Sequence, residues 1–138
     1  MNGLIAGFVS DIMFQMRIES AAERLGAKVQ WVGSIDQLTD MNVDTQFFVE
    51  SAMIDHIIDI KPQLIIFDLG NNDVPWAEWI QLLKSHPETK QIPVICFGSH
   101  VNTEIFKKAR QTGADEVLAR SRFVTVLPKL IEKYVLTN

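Results

Sequence analysis

Asp68 closes the apolar run Leu64-Ile65-Ile66-Phe67 and is the side chain of this sequence best placed for chemistry. A carboxylate beside such neighbours is costly to ionise unless a cation or hydrogen-bond donors meet it. Arg120, just past Glu116-Val117-Leu118-Ala119, offers the planar fork that suits a carboxylate. On that reading Asp68 is a structural anion, and Asp68→Asn lowers stability. Other reactive types stand where other apolar runs end: Ser10 and Asp11 after Leu4–Val9, and Gly98-Ser99-His100 after Ile92–Phe97. A hydrolase assembled from Ser99, His100 and Asp68 fails, because adjacent residues do not orient as nucleophile and base and no Gly-x-Ser-x-Gly elbow exists. Capping of the next helix by Ser99 or Asn102 is the simpler role, with His100 placed for a small anion or partner site beside Arg120. His56 and His86 lack ligand-spaced companions, and no metal motif is present. The lone Cys96 lies in an apolar run and reads as a buried, inert thiol.

These residues gain meaning from the elements that must hold them. Short apolar runs alternate with segments of helical period, the pattern of β/α units and a parallel sheet. Leu4–Val9 reads as a strand, then a helix follows over about Ile12–Leu25, with Phe14, Ile18, Ala21 and Leu25 on one face and Gly26 at its end. Lys28–Val32 reads as an amphipathic edge strand. Ser34-Ile35-Asp36-Gln37 fits a capping box for a short helical turn, and Phe47–Ile60 is a helix closed by Pro62. Leu64–Phe67 has the continuous apolarity of a strand buried on both faces. Asp73 is expected to cap a helix over Trp76–Lys84 with Pro75 in its first turn. Ile92–Phe97, a helix over Thr103–Gln111, strand Glu116–Ala119 and the loop Arg120-Ser121-Arg122 follow. The last helix is expected over about Val126–Val135, because Pro128 belongs in a first turn. The fold class is therefore α/β: a three-layer, doubly wound five-stranded parallel sheet of flavodoxin-like order 2-1-3-4-5, with its crevice at the carboxyl ends of the strands.

From Lys61 onward the chain resembles the receiver domain of bacterial response regulators, the CheY-like family. Three segments carry the resemblance: Lys61-Pro62-Gln63-Leu64-Ile65-Ile66-Phe67-Asp68-Leu69, Ile92-Pro93-Val94-Ile95, and Gly113-Ala114-Asp115-Glu116-Val117-Leu118. The resemblance implies one receiver-like domain over residues 1–138, an insertion at about 33–46, and no output domain. It also places Asp68 at the phosphoacceptor position. Phosphoryl transfer to a carboxylate depends on a divalent cation, and magnesium asks for further carboxylates at demanding distances. Receivers supply these as an acidic pair ending strand one; counted back from Gly26, those places hold Val9 and Ser10, with Asp11 one step along. A shorter helix would make the pair Ser10-Asp11 and keep one carboxylate. The family's Ser or Thr after strand four is Gly98 here, with Ser99 one place on. Its lysine of strand five is Arg120, an exchange that is not conservative in a tight site, and the proline after it is Ser121. The implied site is degenerate.

Trp76 and Trp79, with Ile80 and Leu83, form an aromatic stripe that either packs the core or leaves an interface anchor. Residues 101–138 carry a net charge of +3 against −7 elsewhere. Lys107, Arg110, Arg122 and Lys129 on that stretch are the candidate face for an acidic partner or a homodimer. A net charge of −4 gives no general attraction to nucleic acid or an anionic membrane. The hydrophobic fraction of 47% and charged fraction of 22% are those of a globular chain. The N-terminus has neither a basic region nor a cleavage site, so a cytoplasmic location is expected. The expected function is a stand-alone pseudo-receiver: a non-enzymatic protein-binding module in bacterial signal transduction, without cofactor and with an unidentified protein partner. The first alternative is a divergent phospho-accepting regulator that uses magnesium, with Asp11 and Ser99 replacing the missing groups. A small flavodoxin-like enzyme or ligand-binding protein comes third, because no flavin, dinucleotide or cobalamin motif is present.

Overall fold

A computed structural model describes residues 3–33, 46–99 and 101–136. Five parallel strands, β1 (Leu4–Phe8), β2 (Lys28–Trp31), β3 (Leu64–Asp68), β4 (Val94–Gly98) and β5 (Glu116–Ala119), form one sheet of order 2-1-3-4-5. The helices are α1 (Ile12–Arg24), α2 (Gln46–Ile60), α3 (Trp76–Ser85), α4 (Thr103–Gln111) and α5 (Arg120–Ile131), the last running into a wider π turn at Glu132–Leu136. The expected capping turn at Ser34 and most of the expected insertion, residues 34–45, lie outside the described residues.

Alternation along the strands builds two cores. Ala6, Phe8, Ile65, Phe67, Val94 and Cys96 face one way, onto Met53 and Ile57 of α2 and onto Trp79, Ile80 and Leu83 of α3. Ile5, Leu64, Ile66, Ile95 and Phe97 face the other way, onto Ile18 and Ala22 of α1 and Phe123 and Leu127 of α5. β3 is buried at every position, as its unbroken apolarity requires. Its register pairs Phe8 with Phe67, Asp68 with Phe97 and, one strand further, Gly98 with Ala119. Asp68, Gly98 and the end of β5 thus come to one edge of the sheet. Gly26, at φ 79°, ends α1 with backbone bonds from Gly26 and Ala27 to Glu23 and Ala22.

Three local expectations are corrected. The last helix starts at Arg120, directly after β5, so Pro128 lies in its interior. Phe123, Leu127, Leu130 and Ile131 are all buried by that helix, and that burial outweighs one missing backbone hydrogen bond. Asp73 does not cap α3: it is exposed and its N–H binds Asn71 Oδ1 at 3.0 Å, while Pro75 occupies the N-cap without a side-chain bond. Val74, buried just before, fixes that turn instead. The fourth strand is shifted to Val94–Gly98, which makes Gly98 its last residue rather than the start of a loop.

Candidate functional site

The carboxyl ends of β1, β3 and β4 and the first residues of α1 and α5 enclose Asp68. Its side chain points to the α1/α5 side of the sheet, and the residue is 3% exposed. Oδ1 accepts the Gly70 N–H at 2.8 Å and lies 3.7 Å from Arg120 Nη2. Arg120 is the first residue of α5, and its guanidinium spans from this carboxylate to the Phe14 ring, 5.6 Å from the centroid. Phe14 stacks on Phe97 and Phe97 on Phe123, at 4.9 and 4.5 Å. The guanidinium is thereby held between a carboxylate and an aromatic ladder.

Burial pushes the Asp68 carboxyl above its ordinary value. The Gly70 N–H and Arg120 draw it down, and the charge of Asp11 adds a smaller upward push. The pairing with Arg120 that the sequence suggests is present. On balance the surroundings disfavour the ionised form.

The end of β1 offers little to a cation. Val9 turns its side chain into the α1/α5 core, and its carbonyl accepts Gln15 Nε2 at 2.6 Å. The Phe8 carbonyl accepts Asn71 Nδ2 at 3.1 Å. Ser10 is exposed. Asp11 is the N-cap of α1, with Oδ1 accepting the Met13 and Phe14 N–H groups at 2.9 and 3.3 Å. A magnesium ion needs several free oxygens at short range. Here the carbonyls at the end of β1 carry amide donors, the nearest second carboxylate serves a helix, and Asp68 faces a guanidinium. These residues do not fit the ion. At Gly98 an added Cβ would stand 3.3 Å from Leu69 and 3.4 Å from Phe106, so the family's hydroxyl residue would crowd both side chains.

Ser99 is exposed, and Asn102 caps α4 by accepting the Ile105 N–H at 3.2 Å. His100 lies outside the described residues, so its proposed partnership with Arg120 has no geometry. Cys96 is buried and its thiol is pushed up by desolvation. His86 closes α3, and His56 meets Gln30. Lys107, Arg110, Arg122 and Lys129 are exposed. Trp76 is half-buried, with Lys108 Nζ 5.7 Å from its ring centroid. Trp79 is fully buried and packs edge-on against Phe8; as an interface anchor it is ruled out, because three residues along the helix it faces the sheet. Sequence reasoning missed Gln15 and Asn71, which seal the end of β1, and Phe14 as the seat of Arg120. Only Asn71 had a signal, its place three residues beyond Asp68 in a turn.

The chain matches no protein-family model and no curated relative. Solved structures are similar throughout its length. The receiver domain of the sensor histidine kinase PA1611 from Pseudomonas aeruginosa, which has magnesium coordinated in its active-site cleft, superposes with a TM-score of 0.74 at 13% identity, covering 99% of this chain and 100% of that one. The chemotaxis response regulator CheY4 of Vibrio cholerae gives 0.72 at 11%, covering 97% and 99%. The signal receiver domain of a DNA-binding response regulator from Colwellia psychrerythraea gives 0.70 at 20%, covering 95% and 96%.

Proposed function

The fold is that of response-regulator receiver domains, and from that premise we propose that this chain is a pseudo-receiver: a non-enzymatic module that binds a partner protein in signal transduction without being phosphorylated. One observation carries the reading. The aspartate at the phosphoacceptor position faces Arg120 and the Gly70 N–H, while Gln15 and Asn71 occupy the carbonyls at the end of β1. The charge that a divalent ion would place beside Asp68 is supplied, at longer range, by the chain's own guanidinium. What the scaffold retains is a shaped surface, and a surface acts by binding.

The test is incubation with acetyl phosphate and magnesium, followed by intact mass. The expected result is unmodified protein, together with no heat of magnesium binding. An added phosphoryl group that disappears in Asp68→Asn would overturn the proposal. It would favour the divergent regulator, for which the Coulombic reach of Asp11 to Asp68 is the supporting observation.

A further inference from the structure

Of the five exposed large apolar side chains among the described residues, three lie together at the start of α1, Ile12 at 68%, Met13 at 64% and Met16 at 59%, while Val101 and Leu136 stand elsewhere. They do not belong to the buried face of that helix, which carries Ile18, Ala21 and Ala22. Met13, Met16, Arg17 and Arg24 instead form one wall of an open groove of about 400 Å³, whose other wall is Val124 and Pro128 of α5. Apolar side chains exposed together mark interaction sites, and methionine suits a surface that must adapt to its occupant.

Charge narrows the occupant. Among the described residues no carboxylate lines the groove, while two arginines do. The acidic Glu19 of α1 is turned the other way, accepting the indole N–H of Trp31 on β2. Arg17 and Arg24 are seven residues apart, roughly 10 Å along the helix axis. Shape narrows it further. A furrow between two helices takes a third helix by its apolar stripe.

We propose that the α1/α5 groove docks an amphipathic helix of a partner protein, whose apolar stripe covers Met13 and Met16 and whose carboxylates, two turns apart, meet Arg17 and Arg24. This deepens the binding-module reading and rests on it. It also moves the partner surface away from the basic residues of α4, whose Lys107 and Arg110 lie on another face.

The probe is a synthetic helix of about five turns with a leucine stripe and glutamates at i and i+7, compared with the same peptide carrying lysines there. Titrated into the ¹⁵N-labelled chain, the glutamate peptide is expected to shift amides of α1 and α5 and to bind roughly tenfold tighter than the lysine peptide. Arg17→Glu with Arg24→Glu reverses that preference, and Met16→Asp removes binding, both with unchanged circular dichroism. Lys107→Glu with Arg110→Glu leaves binding as it was. Equal affinity for both peptides, shifts elsewhere, or no binding sinks the inference. So does a dimer in sedimentation that Met16→Asp dissolves, or attachment to phosphatidylglycerol vesicles in place of the peptide. Phosphorylation at Asp68 would end the module reading without altering these titrations, so the two failures are told apart.

Discussion

The two sides of the sheet solve the same packing problem with different results. On one side Phe8 and Phe67 stack at 4.3 Å and Trp79 meets Phe8 edge-on, and the stack ends inside the protein, its indole N–H without a partner among the described residues. On the other side Phe14, Phe97 and Phe123 stack in a ladder that ends at the surface, under the half-exposed Arg120. The first side is closed. The second leads outward, through Phe14 to the guanidinium that faces Asp68. The lesson is that the side carrying Asp68 kept its contact with solvent, while the side carrying Trp79 serves stability.

The sharpest way to break this comparison is at Trp79. Trp79→Ala should cost about 3–5 kcal/mol in chemical denaturation, the usual range for removing a large buried aromatic ring. Trp79→Phe should cost much less, since it keeps the ring against Phe8 and removes an indole N–H that has no partner. A Trp79→Ala protein of near-normal stability would mean that this side is not the closed core described.

How much of this was legible in the sequence depended on whether a residue's neighbours are local. β3 announced itself, because a strand buried on both faces has nothing but apolar residues to show. The helix end at Gly26 was equally plain, since its positive φ suits glycine. The pairing of Asp68 with Arg120 followed from strand order alone. The start of α5 did not: the proline rule is local, and the burial of Phe123 and Leu127 that overrides it is tertiary. Asn71 gave only its place in the turn after Asp68, since the Phe8 carbonyl that it serves lies 63 residues away, and Gln15, which serves the Val9 carbonyl, gave no signal. The basic residues of the last quarter stand out in any count of charge, whereas exposed methionines on a half-buried helix do not.

A second, smaller effect sharpens the account of the open side. Arg120→Ala should destabilise at neutral pH by about 1 kcal/mol, discounted because the guanidinium is half-exposed. The loss should nearly vanish in an Asp68→Asn background, where no charge needs a partner. Asp68→Asn alone should raise the melting temperature slightly at pH 7. The sign follows from the raised folded value of Asp68. Between its unfolded and folded pKa the native state keeps a proton that the unfolded chain has released. That contribution to stability is complete below the unfolded value and lost as pH rises through the folded one. The advantage of Asp68→Asn should therefore shrink as pH falls toward 4. A gap that widened in acid would show that the ionised form is the favoured one, and that Arg120 and Gly70 outweigh burial.

The smallest expected effect is at the groove, and its smallness is the point. Met13→Ser with Met16→Ser removes two side chains that are already 64% and 59% exposed, so denaturation midpoints should move by no more than about 0.5 kcal/mol. Surface residues retained for packing would behave otherwise: a loss of ~2 kcal/mol would place them in the core of the α1/α5 side and close the groove as a docking surface. If stability holds and the glutamate peptide no longer binds, the same substitutions will have separated what Trp79 does for this fold from what α1 does for its partner.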